Sequence, residues 1–324
     1  MATQITILGL NFLGQSLGLA LSAREFPVMG FDPKLEVAQA AQKLGAVRQI
    51  KWNMAQAVKD ADLTLVCLPL AEQREALEAI AKDFKSESAV VSVTPLLAHP
   101  LAWATEVLPA DRHFVALHPL LSPAVPYSEA NALTPNADLF KHGMWAMAPS
   151  PTCAAGALQL VNGLANVAGA TPYFVDPTEH DGLMGGASAL PVMLALALMR
   201  AVAASPGWPE MRKVAGYSLA TATTALSDLD QTAAALQLNR ESTLRYLDAA
   251  QAELTALREK VAGDDTAGLD AALTEAAARR AAWLADSAGG NWETPEKAAQ
   301  ELPTSAGTFK RFLVGGLFDR KEKP

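Results

Sequence analysis

The sequence predicts an α/β protein in which a doubly wound parallel sheet is followed by an all-helical domain. In the first half of the chain, short apolar runs alternate with amphipathic helical stretches, the pattern of a parallel sheet with helices on both faces. From about Thr178 onward the β-rich runs disappear, and alanine and leucine dominate. We therefore expect a sheet domain over residues 1–177 and a helical domain over residues 178–324, sizes that allow each a core of its own.

The predicted strands are short and almost uninterruptedly apolar, as strands buried on both faces are. In chain order they are QITILGL, PVMGFD, ADLTLVCLPL, SAVVSVT, HFVALHP, HGMWAMAP and TPYFVD. The stretches FLGQSLGLALSARE, KLEVAQAAQKLGA and AEQREALEAIAKDF have helical spacing and follow the first three of these strands. We expect the last two strands to extend the same sheet.

The helical domain carries apolar stripes that a small domain cannot bury alone. A helix predicted over residues 239–261 shows one at helical spacing, formed by Leu244, Leu247, Ala250, Leu254 and Leu257. Such stripes are often buried against a second copy of the same chain. We expect a homodimer through this domain.

A glycine-rich turn follows the first predicted strand. The segment ILGLNFLGQS differs by one residue from the dinucleotide-binding pattern G-x-G-x-x-G, because Asn11 replaces the middle glycine. Gly9 and Gly14 keep the tight turn and the close helix–sheet contact, and the following helix begins where it can face phosphates. We expect Asn11 to adopt a positive φ and its amide to donate to a phosphate oxygen. The predicted nucleotide contacts of this Rossmann-type turn are Gly9, Leu10, Asn11, Phe12, Leu13 and Gly14.

An acidic residue at the end of the second strand supports the nucleotide interpretation. Asp32 lies about 20 residues into the motif, where a carboxylate binds the ribose 2′-hydroxyl. A carboxylate there repels a 2′-phosphate, an effect that the nearby Lys34 weakens only slightly. NAD is therefore favoured over NADP.

Composition narrows the class of protein further. The formal net charge of −8 argues against nucleic acid and against an anionic membrane as partners. The uncharged run over residues 182–199 contains glycines and a proline, and we interpret it as a buried core helix. The two cysteines, Cys67 and Cys153, fit a reducing compartment, and no spacing suited to a metal occurs. With no targeting segment recognised, we expect a cytoplasmic protein.

Several segments, in order and at matching intervals, resemble the prephenate and arogenate dehydrogenases. They are ILGLNFLGQSLGLAL, ADLTLVCLPL, FVALHPLLSP, TPNADLFKHGMWAMAP and GATPYFVDPTEHDGLMGGASALPVMLALAL. The resemblance implies oxidation of the C4 alcohol of a cyclohexadienyl acid, with hydride passed to NAD(P). Loss of carbon dioxide then makes the ring aromatic, a step of tyrosine biosynthesis.

The same resemblance implies roles for individual residues. His118, in the F-V-x-x-H-P segment, takes the position of the base that removes the hydroxyl proton. Leu68, Pro69 and Thr94 lie in segments that border the cofactor in the family. The start of the helical domain and a later helix start are similar to the family's substrate-binding segments, which implies substrate contacts from Ser188, Ala189, Val192 and Asn239.

His180 and Asp181 also match the family pattern. We interpret them as structural residues of a helix that Asp176 or Thr178 caps.

Three departures from the family pattern concern the substrate. The family's serine aligns with Pro95, although Ser92 and Thr94 are nearby, and its two histidines are replaced by Ala189 and Val192. The arginine that clamps the substrate carboxylate is missing near Ala222. A bidentate clamp is worth roughly 3–6 kcal/mol. Substitutes from this chain would be Arg200, Arg212, Lys213 or Arg240, and a partner subunit is another source.

These departures leave three hypotheses open. The first is a prephenate/arogenate dehydrogenase, with arogenate slightly favoured because its amino group cancels one negative charge. The second is a β-hydroxyacid dehydrogenase or imine reductase acting on a smaller substrate. The third is a dinucleotide-binding relative that has lost catalysis.

Overall fold

The computed structural model describes residues 3–122, 134–226 and 232–289. The chain divides into two compact units, one formed by the described residues up to His180 and the other by those from Asp181 onward. The first is an α/β unit and the second is helical, so the predicted fold class is confirmed.

The first unit is built on one eight-stranded sheet with the order β3-β2-β1-β4-β5-β6-β7-β8. Its strands are β1 Ile5–Leu8, β2 Val28–Phe31, β3 Gln49–Ile50, β4 Leu63–Val66, β5 Ala89–Val93, β6 His113–Leu120, β7 Met144–Pro149 and β8 Thr171–Phe174. All neighbouring pairs are parallel except β6 and β7, which are antiparallel. The last two strands do extend the sheet, as predicted.

Helices connect the parallel strands. They are α1 Phe12–Ser22, α2 Leu35–Leu44, α3 Met54–Val58, α4 Leu70–Ile80, α5 Ala98–Val107 and α6 Ala155–Ala168. A further helix, α7 Pro177–Met184, follows β8. The structure adds β3 and the helices α3, α5 and α6 to the elements expected from sequence. Parallel order places the carboxyl ends of β1, β2, β4, β5 and β6 at one edge, where ligands bind in sheets of this kind.

The core lies on both faces of the sheet, because successive side chains of a strand point to opposite sides. Ile5 and Ile7 of β1 pack in one cluster with Leu17 of α1, while Leu8 packs in the other with Leu77 of α4. All four residues of β1 are buried, which explains why three of them are apolar and why the hydroxyl of the fourth, Thr6, donates to Ala57 O at 2.8 Å.

The second unit contains only helical elements within its described residues. They are a π-helical turn Gly185–Ala189, α8 Leu190–Ala203, α9 Trp208–Val214, α10 Tyr217–Ala222, a 3₁₀ turn Thr224–Leu226, α11 Thr232–Leu238, α12 Arg240–Ala262 and α13 Thr266–Gly289. At the end of the π-helical turn the N–H of Leu190 bonds five residues back, to Gly185 O, and Pro191, which follows in α8, has no N–H to donate. A Cβ on Gly185 would lie 2.7 Å from the Cβ of Ser242, so glycine lets the turn pack directly on α12.

The apolar side chains of this unit are largely exposed in the single chain. In the α12 stripe, Leu244, Leu254 and Leu257 are 45 %, 58 % and 38 % exposed. The stretch Pro177–Ala203 is long and apolar enough to cross a membrane, and 11 % of its most apolar part is buried. Our interpretation of residues 182–199 as a core helix is therefore wrong for the isolated chain, because no other element of the described structure covers most of this surface.

Candidate active site

The glycine turn connects β1 to α1 at the carboxyl edge of the sheet. Gly9 has a φ of +87°, and a Cβ there would lie 2.7 Å from the backbone of Cys67 and Leu68. A Cβ on Gly14 would lie 2.1 Å from Gly9 O. The turn and the first turn of α1 are therefore as closely packed as a dinucleotide-binding fold requires.

Asn11 does not have the conformation expected from sequence. Its φ is −67°, and it is the N-cap of α1: its Oδ1 accepts from Gly14 N at 3.0 Å. Its Nδ2 donates to Cys67 O at 2.8 Å. The expectation of a positive φ is wrong, because an N-cap has extended backbone. The expected phosphate contact stays a prediction, and Cys67 O occupies one of the two N–H donors of the amide.

Backbone donors remain at the start of α1. In the described part of the chain, the N–H groups of Phe12 and Leu13 have no protein acceptor. These are orphan donors of a helix N-terminus, which carries partial positive charge. A pyrophosphate is the kind of group they fit.

Asp32 follows β2 at the same edge. Its Oδ2 accepts from Leu10 N at 2.8 Å, and its Oδ1 accepts from Lys34 N at 2.9 Å. The carboxylate is only partly buried, and each oxygen keeps a further lone pair. The structure thus holds an oriented acceptor beside the glycine turn, which fits ribose hydroxyls.

A buried glutamine joins the ends of β4 and β5. Gln73 is fully buried, and its Nε2 donates to Leu68 O at 2.9 Å and to Val93 O at 3.2 Å. Ser92 Oγ donates to its Oε1. The Ser92 hydroxyl is therefore engaged inside the sheet. The residues that follow β4 and β5 at the carboxyl edge of the sheet are Leu68, Pro69 and Thr94.

The structure lets us predict the effect of removing this amide. Gln73→Leu leaves two buried carbonyls and a hydroxyl without partners, so we expect it to lower the free energy of unfolding by about 2–4 kcal/mol. Gln42→Leu is the matched control, because the exposed Gln42 bonds to Arg48 O at the surface, where water can replace it. Urea unfolding checks both variants. Equal losses for the two would contradict the prediction.

His118 lies near the end of β6, next to the ends of the nucleotide strands. The N–H of Thr94 donates to the carbonyl of Leu117 at 2.9 Å, which brings Thr94 alongside this part of β6. The Nδ1 of His118 lies 3.1 Å from the Nε2 of His180. In the described part of the chain, the Nε2 of His118 contacts no protein partner. It is the nitrogen left to act on a ligand.

Burial, together with repulsion from a charge on His180, lowers the pKa of His118 to about 3. The ring is therefore neutral at pH 7, as a proton acceptor must be. By contrast, burial raises the pKa of the Cys67 thiol far above its usual range and raises that of the Cys153 thiol to about 11, so neither is a thiolate nucleophile.

The lowered pKa links stability to pH. Between pH 6.5 and 3 the unfolded chain binds a proton at His118 that the folded chain does not, so stability is lost as the pH falls through this window. From pH 7.5 to pH 5.5 this group alone contributes a loss of about 1.4 kcal/mol. We expect His118→Asn to remove that part of the difference between urea unfolding curves at the two pH values.

His142→Asn is the control for this measurement. His142 is exposed and has a φ of +61°, a conformation that asparagine tolerates. We expect this variant to keep the wild-type difference. If His118→Asn also kept it, the assignment of the pH dependence to His118 would be wrong.

Two sequence models of known protein families match this chain. The model of the prephenate dehydrogenase nucleotide-binding domain matches residues 17–173, and that of the prephenate dehydrogenase dimerization domain matches residues 176–275. The chain belongs to the prephenate dehydrogenase family. Its α/β unit is thus the family's nucleotide-binding domain.

Individual relatives agree with this assignment. Prephenate dehydrogenase of Bacillus subtilis is 25 % identical over 205 residues, which cover 61 % of this chain and 53 % of the relative. The chain therefore matches about half the length of that relative.

Two solved structures share the fold. The prephenate dehydrogenase of A. aeolicus, in complex with hydroxyphenyl propionate and NAD+, has a TM-score of 0.75 and 19 % identity, covering 86 % of this chain and 98 % of that one. Synechocystis arogenate dehydrogenase has a TM-score of 0.67 and 18 % identity, covering 87 % and 100 %.

The residues expected to contact substrate lie in the helical unit. Ser188 and Ala189 lie in the π-helical turn, and Val192 lies in the first turn of α8. Asn239 is at the N-cap position of α12 but its side chain makes no capping bond; its Nδ2 donates to Asp181 O at 2.6 Å. The amide of Asn239 is thus already engaged within the unit.

The cations of the helical unit do not form an evident clamp. Lys213 is paired with Glu210, and Arg245, which sequence analysis did not consider, donates to Gly182 O and lies over the ring of Tyr246. Arg240 begins α12 beside Asn239 and makes no ion pair among the described residues. The described part of the chain also contains no cluster of three potential metal ligands.

The contact between His180 and His118 was not predictable from the sequence. The buried ring of His180 contacts the candidate base, although 62 positions separate the two residues. The helix start was interpreted correctly in part, because Asp176 Oδ1 accepts from Thr178 N and Glu179 N. No local pattern in the sequence marks a contact between residues so far apart.

Proposed function

We propose that this chain is an NAD-dependent dehydrogenase of the prephenate/arogenate type, with His118 as the base. The observation that carries the proposal is the position of His118 near the end of β6 in the nucleotide-binding sheet, neutral and with Nε2 left for a ligand. The proposed domains are residues 1–177 for the nucleotide and 178–324 for substrate and dimerisation.

The cofactor would be held by the residues that fit it. The backbone of Gly9, Leu10, Asn11, Phe12, Leu13 and Gly14 would border the pyrophosphate, and Asp32 would accept from the ribose. Leu68, Pro69 and Thr94 would border the nicotinamide end. When bound, NAD supplies the acceptor for the hydride that leaves the substrate alcohol.

His118 would take the proton of the same alcohol at Nε2. As the hydride leaves C4, the hydroxyl becomes a protonated carbonyl and is strongly acidic, so a weak base with a pKa of about 3 is sufficient. The carbonyl oxygen keeps the electron pair of the broken O–H bond. Loss of the ring carboxylate as carbon dioxide then gives the aromatic product.

Within this class we propose arogenate as the better substrate. Prephenate carries two carboxylates, and the positions of the family's clamp are occupied here by Ala189, Val192 and Ala222. Arogenate carries an amino group that cancels one charge, so it needs one cation fewer. Arg240 follows Asn239 directly in the chain and makes no ion pair with any residue that the structure describes.

The decisive assay mixes purified protein with NAD or NADP and either prephenate or arogenate, and follows reduced nicotinamide and carbon dioxide. We expect turnover with NAD and a higher kcat/KM for arogenate. Equal or better use of prephenate would refute the proposed substrate preference. No turnover of either compound, with NAD shown to bind, would refute the proposed reaction and favour a smaller β-hydroxy acid, an imine or a non-catalytic function.

Asp32 gives a separate prediction for the cofactor. In Asp32→Asn the charge that repels a 2′-phosphate and strengthens the ribose bonds is gone, so we expect the preference for NAD over NADP to narrow by about 10- to 100-fold. The comparison of kcat/KM for the two cofactors measures this. Glu36→Gln, an exposed substitution in α2, is the control and should keep the preference. An unchanged preference in Asp32→Asn would show that another group selects the cofactor.

The homodimer is also proposed to form through the helical unit. The support is the exposed apolar surface of α8 and α12, where Leu194, Leu196 and Leu254 are each more than a third exposed in one chain. A second copy would bury these faces, and this, rather than a membrane, accounts for the apolar stretch in α8. The buried, protonated thiol of Cys67 is consistent with a reducing, cytoplasmic location.

A further inference from the structure

Two histidines of the α/β unit, the half-buried His118 and the buried His180, form a defined pair. His118 Nδ1 and His180 Nε2 are 3.1 Å apart, the rings are nearly perpendicular at 88°, and their centroids are 5.2 Å apart. Two ring nitrogens at this distance share one proton, because a neutral imidazole has one donor and one acceptor nitrogen. One histidine therefore donates and the other accepts.

The direction of this bond decides what His118 can do. If Nδ1 of His118 donates, its Nε2 carries a lone pair and can accept a proton from a substrate. If Nδ1 accepts instead, the proton of the neutral ring is on Nε2 and that nitrogen is no base. Only the first arrangement agrees with the proposed function, on which this inference rests.

We propose that His180 is a positioning residue that accepts a hydrogen bond from Nδ1–H of His118 and thereby keeps its Nε2 unprotonated. The proton of His180 is then on its own Nδ1. His180 does not touch the reacting atoms in this arrangement. It sets the tautomer and the orientation of the ring that does.

The start of α7 holds His180 in place. The N–H of His180 donates to Asp176 O at 2.9 Å, and the carboxylate of Asp176 caps the helix through Thr178 and Glu179. His180 itself is 3 % exposed, so its ring has little freedom to turn away from His118. The acceptor is thus as rigid as the base that it orients.

A neutral acceptor has a different consequence from a carboxylate. A carboxylate at this position would stabilise a charged imidazolium on His118 by its opposite charge, whereas a neutral imidazole supplies only a hydrogen bond and stabilises it less. The pair therefore favours the proton-free state of His118 before the reaction. It also favours release of the proton after each turnover.

The tautomer can be measured without any turnover. In the full chain labelled with ¹⁵N in its histidine rings, long-range ¹H–¹⁵N spectra distinguish a protonated from an unprotonated ring nitrogen. The signals of His118 are those that disappear in His118→Asn. At pH 7.5 we expect a protonated Nδ1 and an unprotonated Nε2. The opposite assignment in the wild-type protein would overturn the proposal.

Two substitutions of His180 separate positioning from packing. His180→Leu fills space but accepts no hydrogen bond, and a free imidazole prefers its proton on Nε2, so we expect His118 to shift toward that tautomer. His180→Gln can still accept through Oε1 and should keep the wild-type tautomer. An unchanged tautomer in a folded His180→Leu protein would also overturn the proposal. If that variant fails to fold, the wild-type spectrum decides the question.

Kinetics add a second, independent readout. Only the tautomer with an unprotonated Nε2 can act as the base, so we expect kcat to fall by about 10²-fold or more in His180→Leu, with KM unchanged and with recovery in His180→Gln. A fall in kcat with an unaltered tautomer would assign His180 a packing function only. A wild-type protein with the expected tautomer but no turnover would refute the proposed reaction and leave the histidine pair intact.

Discussion

His118→Asn is expected to lower kcat by about 10²- to 10⁴-fold, the usual contribution of a positioned general base. Asparagine is close in size but offers no basic nitrogen, so the alcohol proton has no acceptor when the hydride leaves. His118 lies outside the glycine turn, so NAD binding should be unchanged. The measurements are initial rates with saturating substrate and a direct titration with NAD.

His142→Asn is the matched control for this prediction as well. It makes the same chemical change at an exposed residue in the turn before β7, and we expect full activity. If His118→Asn retained wild-type kcat, His118 would not be the base and the proposed mechanism would be wrong. Loss of NAD binding in His118→Asn would point instead to damage of the nucleotide site.

Gly14→Ala is expected to lower both the free energy of unfolding and the affinity for NAD, although it adds only one methyl group. Its Cβ would lie 2.1 Å from Gly9 O and 3.2 Å from Gly9 C, and both atoms belong to backbone that has nowhere to move. α1 must then shift away from the glycine turn. Overpacking of this kind costs about 1–3 kcal/mol or more, and we expect a loss at or above the upper end. The shift also displaces the N–H groups of Phe12 and Leu13, so NAD affinity should fall with stability.

Gly45→Ala separates the clash from the general cost of replacing glycine. Gly45 ends α2 with a φ of +84°, and a Cβ there meets no atom within 4 Å. We expect a loss of about 1–2 kcal/mol from the left-handed conformation alone, with normal NAD binding. Thermal unfolding and NAD titration on both variants test the prediction. It would be contradicted if Gly14→Ala behaved like Gly45→Ala in both measurements.

The strands and the glycine turn were predictable because their signals are local. A run such as Ile5–Leu8 is apolar except for Thr6, because both faces of a parallel strand are buried, and this constraint acts on consecutive residues. The spacing of Gly9, Gly14 and Asp32 is also a fixed sequence pattern within one strand–helix–strand unit, although the atoms that require it include the backbone of Cys67 and Leu68. The same local pattern predicts His118 near the carboxyl end of a strand of this sheet.

Other features were not predictable because they depend on contacts between distant segments. Asn11 was expected to replace a glycine in conformation, but two partners, Gly14 N and Cys67 O, make it a helix cap. Ser92 was close to the site in sequence, yet its bond to Gln73 keeps it inside the sheet. The exposure of the apolar stretch over residues 182–199 likewise depends on what packs beside it, which composition does not record.

The sequence by itself determined the fold class, the nucleotide turn and the family. Hydrophobic period, glycine spacing and the order of motifs are all visible in the order of residues along the chain. Only the tertiary structure decided which atoms meet at the edge of the sheet. The approach of His118 to His180 across 62 residues is the clearest case. A proton shared between two rings depends on their distance and orientation, and those are set by the packing of β6 and α7 rather than by any neighbour in the sequence.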